Sequence, residues 1–226
     1  MSKTKERILE KALELLNERG VAQVSIRTVG DALGMSPGNL CYHYPNVDAI
    51  VEALYFRLVA DLDALILESM QLASTQGIDL HFMFQSIERS FTTFQHYKFL
   101  MLDFADIMRR HETLKAHFRQ LAQQRQVQFM QLIQALQAGG WVQTERYPSQ
   151  FQDWIQQASL LGDYWMASAE IMLDGDAEYK RKYYQGLFFS TLAPHLTAKG
   201  LEVYQELLNK SWEVEEVEKV EATASD

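Results

Sequence analysis

The sequence predicts an all-α protein in two parts, a short amino-terminal cluster of helices and a longer helical bundle behind it. Three observations predict it. Apolar residues recur at helical spacing along nearly the whole chain, with no alternating strand pattern of useful length. Only four prolines and eleven glycines occur among 226 residues, and they gather at a few breaks, which favours long helices. Charge divides the chain as well. Residues 1–50 hold six Lys/Arg and six Asp/Glu, the rest hold 15 and 24, so the net charge of −9 belongs entirely to the second part.

The first helix covers residues 3–19, with Ile8, Leu9, Ala12, Leu13 and Leu16 on one face and Gly20 as its stop. Ser25 caps a short second helix carrying Ile26, Val29 and Leu33, which ends at Gly34. Ser36 caps a third, with Pro37 at the first helical position, where its missing N–H costs nothing. Pro45 stops that helix at about Tyr44. Asn46 caps a fourth, which runs through Ile50, Val51, Leu54, Leu58, Leu62 and Leu65 to about Ala73. Further helices are expected at 79–96, 98–109, 112–138, 149–173, 177–194 and 197–214. Gly77, Gly139-Gly140, Pro148, Asp174-Gly175 and Pro194 supply the breaks. Residues 213–226, "EVEEVEKVEATASD", are acidic and lack aromatics, so the end of this tail reads as disordered.

The stretch "GMSPGNLCYHYPN", residues 34–46, is too short for a core helix and too aromatic for a plain loop. With the helix before it, it forms a helix-turn-helix over about 25–44. Gly30 provides a small residue at the helix crossing, Gly34 tolerates positive φ in the turn, and Leu40 faces the core. A short helix exposed at its amino end suits a DNA major groove. Gly38 lets the backbone approach a sugar-phosphate chain, and Ser36, Asn39, Tyr42 and Tyr44 carry hydrogen-bonding groups. Asn39 also suits bidentate reading of adenine. Tyr44, four residues after Leu40, is expected to face the core, and Tyr42 and His43 to point elsewhere.

"SIRTVGDALGMSPGNLCYHYPNVDAIVEALY" resembles the DNA-binding domain of the TetR/AcrR (tetracycline-repressor-like) transcriptional regulators, through Gly34, Ser36, Gly38, Leu40, Tyr42 and His43. The resemblance covers about residues 2–62. It implies an amino-terminal three-helix, homeodomain-like helix-turn-helix domain at 2–62 and a helical ligand-binding and dimerisation domain at 63–212. It further implies DNA contacts by Ser25, Arg27, Thr28, Ser36, Pro37, Gly38, Asn39, Tyr42 and His43. Two positions depart from the family pattern. Cys41 stands where an aromatic is usual, and Val47 where a lysine usually meets a phosphate, with Asp48 adjacent. Weaker binding at a given salt concentration is the expectation.

Nothing in the sequence has the spacing of a catalytic or metal site, so no enzyme, cofactor or metal is expected. His43, His81, His96, His111, His117 and His195 form no i, i+4 pair, and Cys41 is alone. Asp103 and Asp106, with Arg109 and Arg110 behind them, read as a solvated or paired helix face. The region 80–172 is rich in aromatics and methionines, which in bundles form cores more often than cavities. In the resembled family this region holds the inducer, so Met101, Phe104, Met108, Phe129 and Trp165 are candidate pocket residues.

One helix-turn-helix spans too few base pairs for specific regulation, so a homodimer on a palindromic operator is expected. The helices 149–173 and 177–194 mix large and small residues on both faces, more than one core needs. Trp154, Ala158, Leu161, Gly162, Trp165, Gly186, Leu187 and Ser190 are the candidate interface. The sequence therefore reads as a cytoplasmic, dimeric, ligand-responsive regulator, in the first place a repressor, with no membrane span. An activator, a regulator answering to a partner protein, and a helical hydrophobe-binding carrier remain open.

Overall fold

The computed structural model describes residues 3–209, and the acidic tail at 213–226 lies outside them. Among the described residues no strand forms, and one bridge pairs Val142 with Leu196. No helix among the described residues is long and apolar enough to cross a membrane. The helices are α1 (Lys3–Arg19), α2 (Ile26–Leu33), α3 (Pro37–His43), α4 (Val47–Gln76), α5 (Leu80–His96) and α6 (Lys98–Leu102). They continue as α7 (Phe104–Arg110), α8 (Glu112–Ala138), α9 (Gln150–Met172) and α10 (Ala177–Ser190). A further helix, α11, covers 198–209.

The chain divides into two compact units. The first comprises the described residues up to Ala64 together with Thr93–Gln120, and the second Leu65–Thr92 with the described residues from Leu121 onward. In the first unit α1 buries Ile8, Leu9, Ala12, Leu13 and Leu16, as its spacing requires. They meet Val29 of α2, Leu40 of α3, Ile50 and Leu54 of α4, and Tyr97, Phe99, Ile107 and Leu114 from the later segment. One core thus serves the three amino-terminal helices and α6–α7 alike.

The expected helix at 98–109 is two helices, α6 and α7, broken at Asp103. The break has a tertiary cause. The Asp103 carboxylate accepts a hydrogen bond from the Val21 N–H at 3.2 Å, just after Gly20 turns the chain with φ +75. Next to it, Asn17 serves two helix ends at once. Its Oδ1 accepts from the Phe99 N–H in the first turn of α6 at 3.0 Å, and its Nδ2 donates to the His96 carbonyl closing α5 at 2.9 Å. Such terminal groups have no partner within their own helix. Tyr97 adds a hydroxyl donated to Asp61 of α4 at 2.5 Å.

In the second unit α9 and α10 form an antiparallel pair. Trp154 Nε1 donates to the Thr191 carbonyl at 3.0 Å, Gly162 lies beside Phe188, and the Ser168 and Tyr184 hydroxyls are 2.7 Å apart. α10 stops at Ser190, four residues short of expectation, and a 3-10 turn at Ala193–His195 follows. α4 extends three residues past Ala73 and ends before Gly77, whose φ is +82.

Candidate nucleic-acid interface

The reading head is assembled by local chemistry. Ser25 and Thr28 form a reciprocal capping box at the start of α2, with the Thr28 N–H donating to Ser25 Oγ at 3.1 Å and the Ser25 N–H donating to Thr28 Oγ1 at 2.9 Å. Gly34 closes α2 in the left-handed region, φ +66 and ψ +28. Ser36 then caps α3 by accepting from the Asn39 N–H, and Pro37 occupies its first turn.

Gly30 is needed, though for a reason other than helix crossing. The Met35 N–H donates to the Gly30 carbonyl at 2.9 Å, and a Cβ on Gly30 would stand 2.9 Å from the Met35 carbonyl oxygen. The turn backbone, with Leu40 only touching at 4.0 Å, is what excludes a side chain.

Leu40 and Tyr44 are buried and orient α3. The other positions on it turn outward. Ser36, Pro37, Gly38, Asn39 and Cys41 are exposed, and Tyr42 is 85% exposed with its ring edge against His43. The Asn39 carboxamide makes no hydrogen bond among the described residues, and a Cβ on Gly38 would meet nothing within 4 Å. An exposed aromatic hydroxyl, an uncommitted carboxamide and an unobstructed glycine therefore lie on one face of two helical turns. On α2, Ser25 and Arg27 are exposed, while Thr28 and, on α3, His43 are half-buried. The Ser25 and Thr28 hydroxyls are engaged in the cap. Arg27 approaches Asp31 only at 3.8 Å, a solvated pair that leaves its guanidinium available.

The amino end of α4 borders this face. Asn46 caps it, with Oδ1 accepting from the Ala49 N–H at 2.9 Å. The Asp48 carboxylate does not stand alone there. Arg110 lies 3.8 Å and His111 Nε2 3.4 Å from it, and Arg110 also pairs with Asp106 at 2.9 Å. Arginine always carries its charge, so part of the negative field beside α4 is offset from α7. Asp103 and Asp106 are therefore not a pair: one holds the Val21 N–H, the other Arg109 and Arg110.

The remaining predicted residues fall in different places. Met101, Phe104 and Met108 belong to the first unit, where Met108 joins the core and Phe104 packs edge-on to Phe118 at 4.8 Å. Phe129 and Trp165 belong to the second. Of the proposed interface set, Trp154, Ala158 and Trp165 are buried within the single chain, Leu161, Gly162, Gly186 and Ser190 are half-buried, and Leu187 is exposed. The sequence reading missed Leu160, Tyr164, Ile171 and Tyr183, which stand exposed on α9 and α10. Leu160, Tyr164 and Ile171 share one face of α9, but the buried Trp154, Ala158 and Trp165 keep a similar helical rhythm, so spacing alone did not single them out. No cluster of His, Cys, Asp or Glu suited to a metal exists among the described residues.

Comparison with known proteins matches these features. The model described as "Bacterial regulatory proteins, tetR family" matches residues 8–54, and the one described as "Bacterial transcriptional repressor", TetR, matches residues 62–204. Among solved structures, a TetR-family transcriptional regulator from Marinobacter aquaeolei VT8 superposes with a TM-score of 0.82 at 20% identity, covering 93% of this chain and 99% of that one. The ketosteroid transcriptional regulator KstR2 of Mycobacterium tuberculosis gives 0.62 at 14% identity, covering 87% and 97%. A SmeT–triclosan complex gives 0.55 at 19% identity, covering 87% and 93%. At these identities the likeness is one of fold.

Proposed function

The chain belongs to the TetR family of bacterial DNA-binding transcriptional regulators, and from that premise we propose a homodimeric repressor that leaves a palindromic operator when a small, largely apolar effector binds. The observation that carries the reading is α3, a capped two-turn helix whose outer face holds an exposed Tyr42, a Gly38 with nothing within 4 Å of a Cβ placed on it and an Asn39 carboxamide without a hydrogen bond among the described residues. Residues 2–62 supply the DNA-binding part and 63–212 the effector and dimer part. Ser36, Pro37, Gly38, Asn39, Tyr42 and His43 meet the groove, with Ser25, Arg27 and Thr28 on the flanking backbone.

Dimerisation is supported by the apolar side chains that α9 and α10 leave outside the monomer. Leu160, Tyr164 and Ile171 lie on one face of α9, and Tyr183 and Leu187 lie one turn apart on α10. An isologous pairing of these helices makes a four-helix interface. That one structural neighbour was solved with triclosan supports a small-molecule effector here.

Selection of bound fragments from a random duplex library, read by gel shift, tests the operator reading. A two-fold symmetric site with half-sites about one helical turn apart, or a multiple of it, is expected. Recovery of no preferred sequence at low salt would refute it. Tyr164→Arg with Leu187→Arg should give a monomer by light scattering and lose the symmetric site. A stable dimer would put the interface elsewhere.

A further inference from the structure

Trp165 of α9 is 2% exposed, yet no group among the described residues accepts a hydrogen bond from its Nε1. The contrast with Trp154, on the same helix and equally buried, is direct: its N–H donates to both the carbonyl and the hydroxyl of Thr191, each at 3.0 Å. Folded proteins leave few buried donors unpaired, because each one forfeits its hydration with nothing in return.

The surroundings explain why no protein acceptor reaches it. Phe91 stacks on the Trp165 ring at 5.0 Å and 25°, and Phe188 meets Phe91 edge-on. Tyr184 lies 6.0 Å away, and its hydroxyl is engaged with Ser168. Charged groups on this helix pair are committed or of the wrong sign. Lys180 pairs with Glu170 at 3.6 Å, and Arg181 reaches Gln185 at 3.3 Å and Glu178 at 3.9 Å. Asp163, two residues before Trp165, points to another side of α9. Among these rings a charged acceptor would lose its hydration with no uncommitted cation of α9 or α10 to pair it among the described residues, whereas a neutral acceptor avoids that cost.

We infer that the indole N–H of Trp165 is the polar anchor of the effector site, and that the effector is an uncharged, flat, apolar molecule bearing a hydrogen-bond acceptor such as a ketone oxygen. Phe91 already covers a face of the indole, so the effector meets Trp165 at its N–H edge. The inference rests on the effector-responsive reading above and adds to it the chemistry the effector must carry.

Fluorene and 9-fluorenone, near-equal in shape and differing in one carbonyl, are suitable probes for calorimetry and nitrogen–proton NMR of the tryptophan side chains. The wild type should bind fluorenone about three- to tenfold more tightly than fluorene, the size of one net hydrogen bond. Fluorenone, and not fluorene, should move the Trp165 indole N–H resonance downfield while that of Trp154 stays in place. In Trp165→Phe the two probes should bind equally. A preference that survives in Trp165→Phe, or a Trp165 resonance indifferent to bound fluorenone, overturns the anchor alone. Failure of both probes to bind the wild type overturns the apolar-effector reading together with it. Should Trp165→Phe not fold, Trp141→Phe, Trp154→Phe and Trp212→Phe assign the resonance by elimination, and the wild-type spectra decide.

Discussion

Replacing Gly30 and Gly34 by alanine, one at a time, separates two demands that the reading head makes on its turn. At Gly34 the φ of +66 is the whole cost, since a Cβ there would meet nothing within 4 Å. The left-handed penalty for an L residue is about 1 kcal/mol. At Gly30 alanine would gain up to about 1 kcal/mol of helix propensity inside α2. Against that, its Cβ would lie 2.9 Å from the Met35 carbonyl oxygen, a backbone atom that cannot swing aside. Relief requires the turn to move, at roughly 1–3 kcal/mol for overpacking plus about 1 kcal/mol for the weakened Met35 N–H bond to Gly30. The net loss is about 1–3 kcal/mol, or several degrees in Tm at about 2–4 °C per kcal/mol for a chain of this size. The functional outcomes differ more than the stabilities. Gly34→Ala keeps α3 in place and should bind operator within about twofold of wild type, whereas Gly30→Ala displaces α3 and should lose about tenfold or more. Fluorescence anisotropy on a labelled operator, well below both melting points, reads the difference. Wild-type affinity in Gly30→Ala with a large loss in Gly34→Ala would refute the reasoning.

Three further outcomes are expected. Asn39→Ala and Tyr42→Ala should each weaken operator binding by about 1–3 kcal/mol with an unchanged circular dichroism spectrum, since neither side chain supports the core. Wild-type binding by both would remove α3 from the groove. Val47→Lys should tighten binding to all sequences and steepen the salt dependence by about one charge. Because Val47 packs partly on the core, a small drop in Tm should accompany the gain, and an unchanged salt slope would place the position away from phosphate. Asp163, raised from 3.8 to about 6 by burial, contributes stability that is complete below its unfolded value and lost as pH rises through about 6. Asp163→Asn should abolish that loss and be the more stable protein at pH 7.5 but not at pH 4, by at most about 3 kcal/mol in urea titrations. Equal curves for the two proteins at both pH values would show the carboxyl to be solvated.

What could be read from the sequence was whatever the backbone decides locally. Ser25, Ser36 with Pro37, Asn46 and Gly34 mark helix ends through hydrogen bonds within three residues or through a single φ, and the structure has each of them in that role. The break at Asp103 was hidden because Phe99, Leu100, Met101, Phe104, Ile107 and Met108 keep an apolar rhythm straight through it. The interruption comes from Val21, 82 residues away in the chain. Gly30 was recognised as necessary, but the atom that forbids a side chain belongs to the turn and not to the crossing helix. On α9 apolar residues occupy every side, so periodicity could not tell Trp154, Ala158 and Trp165, which the monomer buries, from Leu160, Tyr164 and Ile171, which it does not. A missing acceptor for one indole N–H leaves no trace in a sequence at all.

Regulators of this architecture invite recombination, with one protein's operator preference joined to another's effector response. The seam suggested by the sequence, after residue 62, would cut through the middle of α4 and leave behind the segment that completes the first unit. A graft ending there would carry Asn17 without the Phe99 N–H and His96 carbonyl it serves, the Val21 N–H without Asp103, and Tyr55 without His117, whose ring nitrogen lies 2.9 Å from its hydroxyl. It would also uncover the apolar surface that Tyr97 and Phe99 now fill. The transplantable piece is discontinuous in the gene: residues 93–120 must travel with the reading head, or the acceptor protein must supply at those positions side chains that fit the incoming α1.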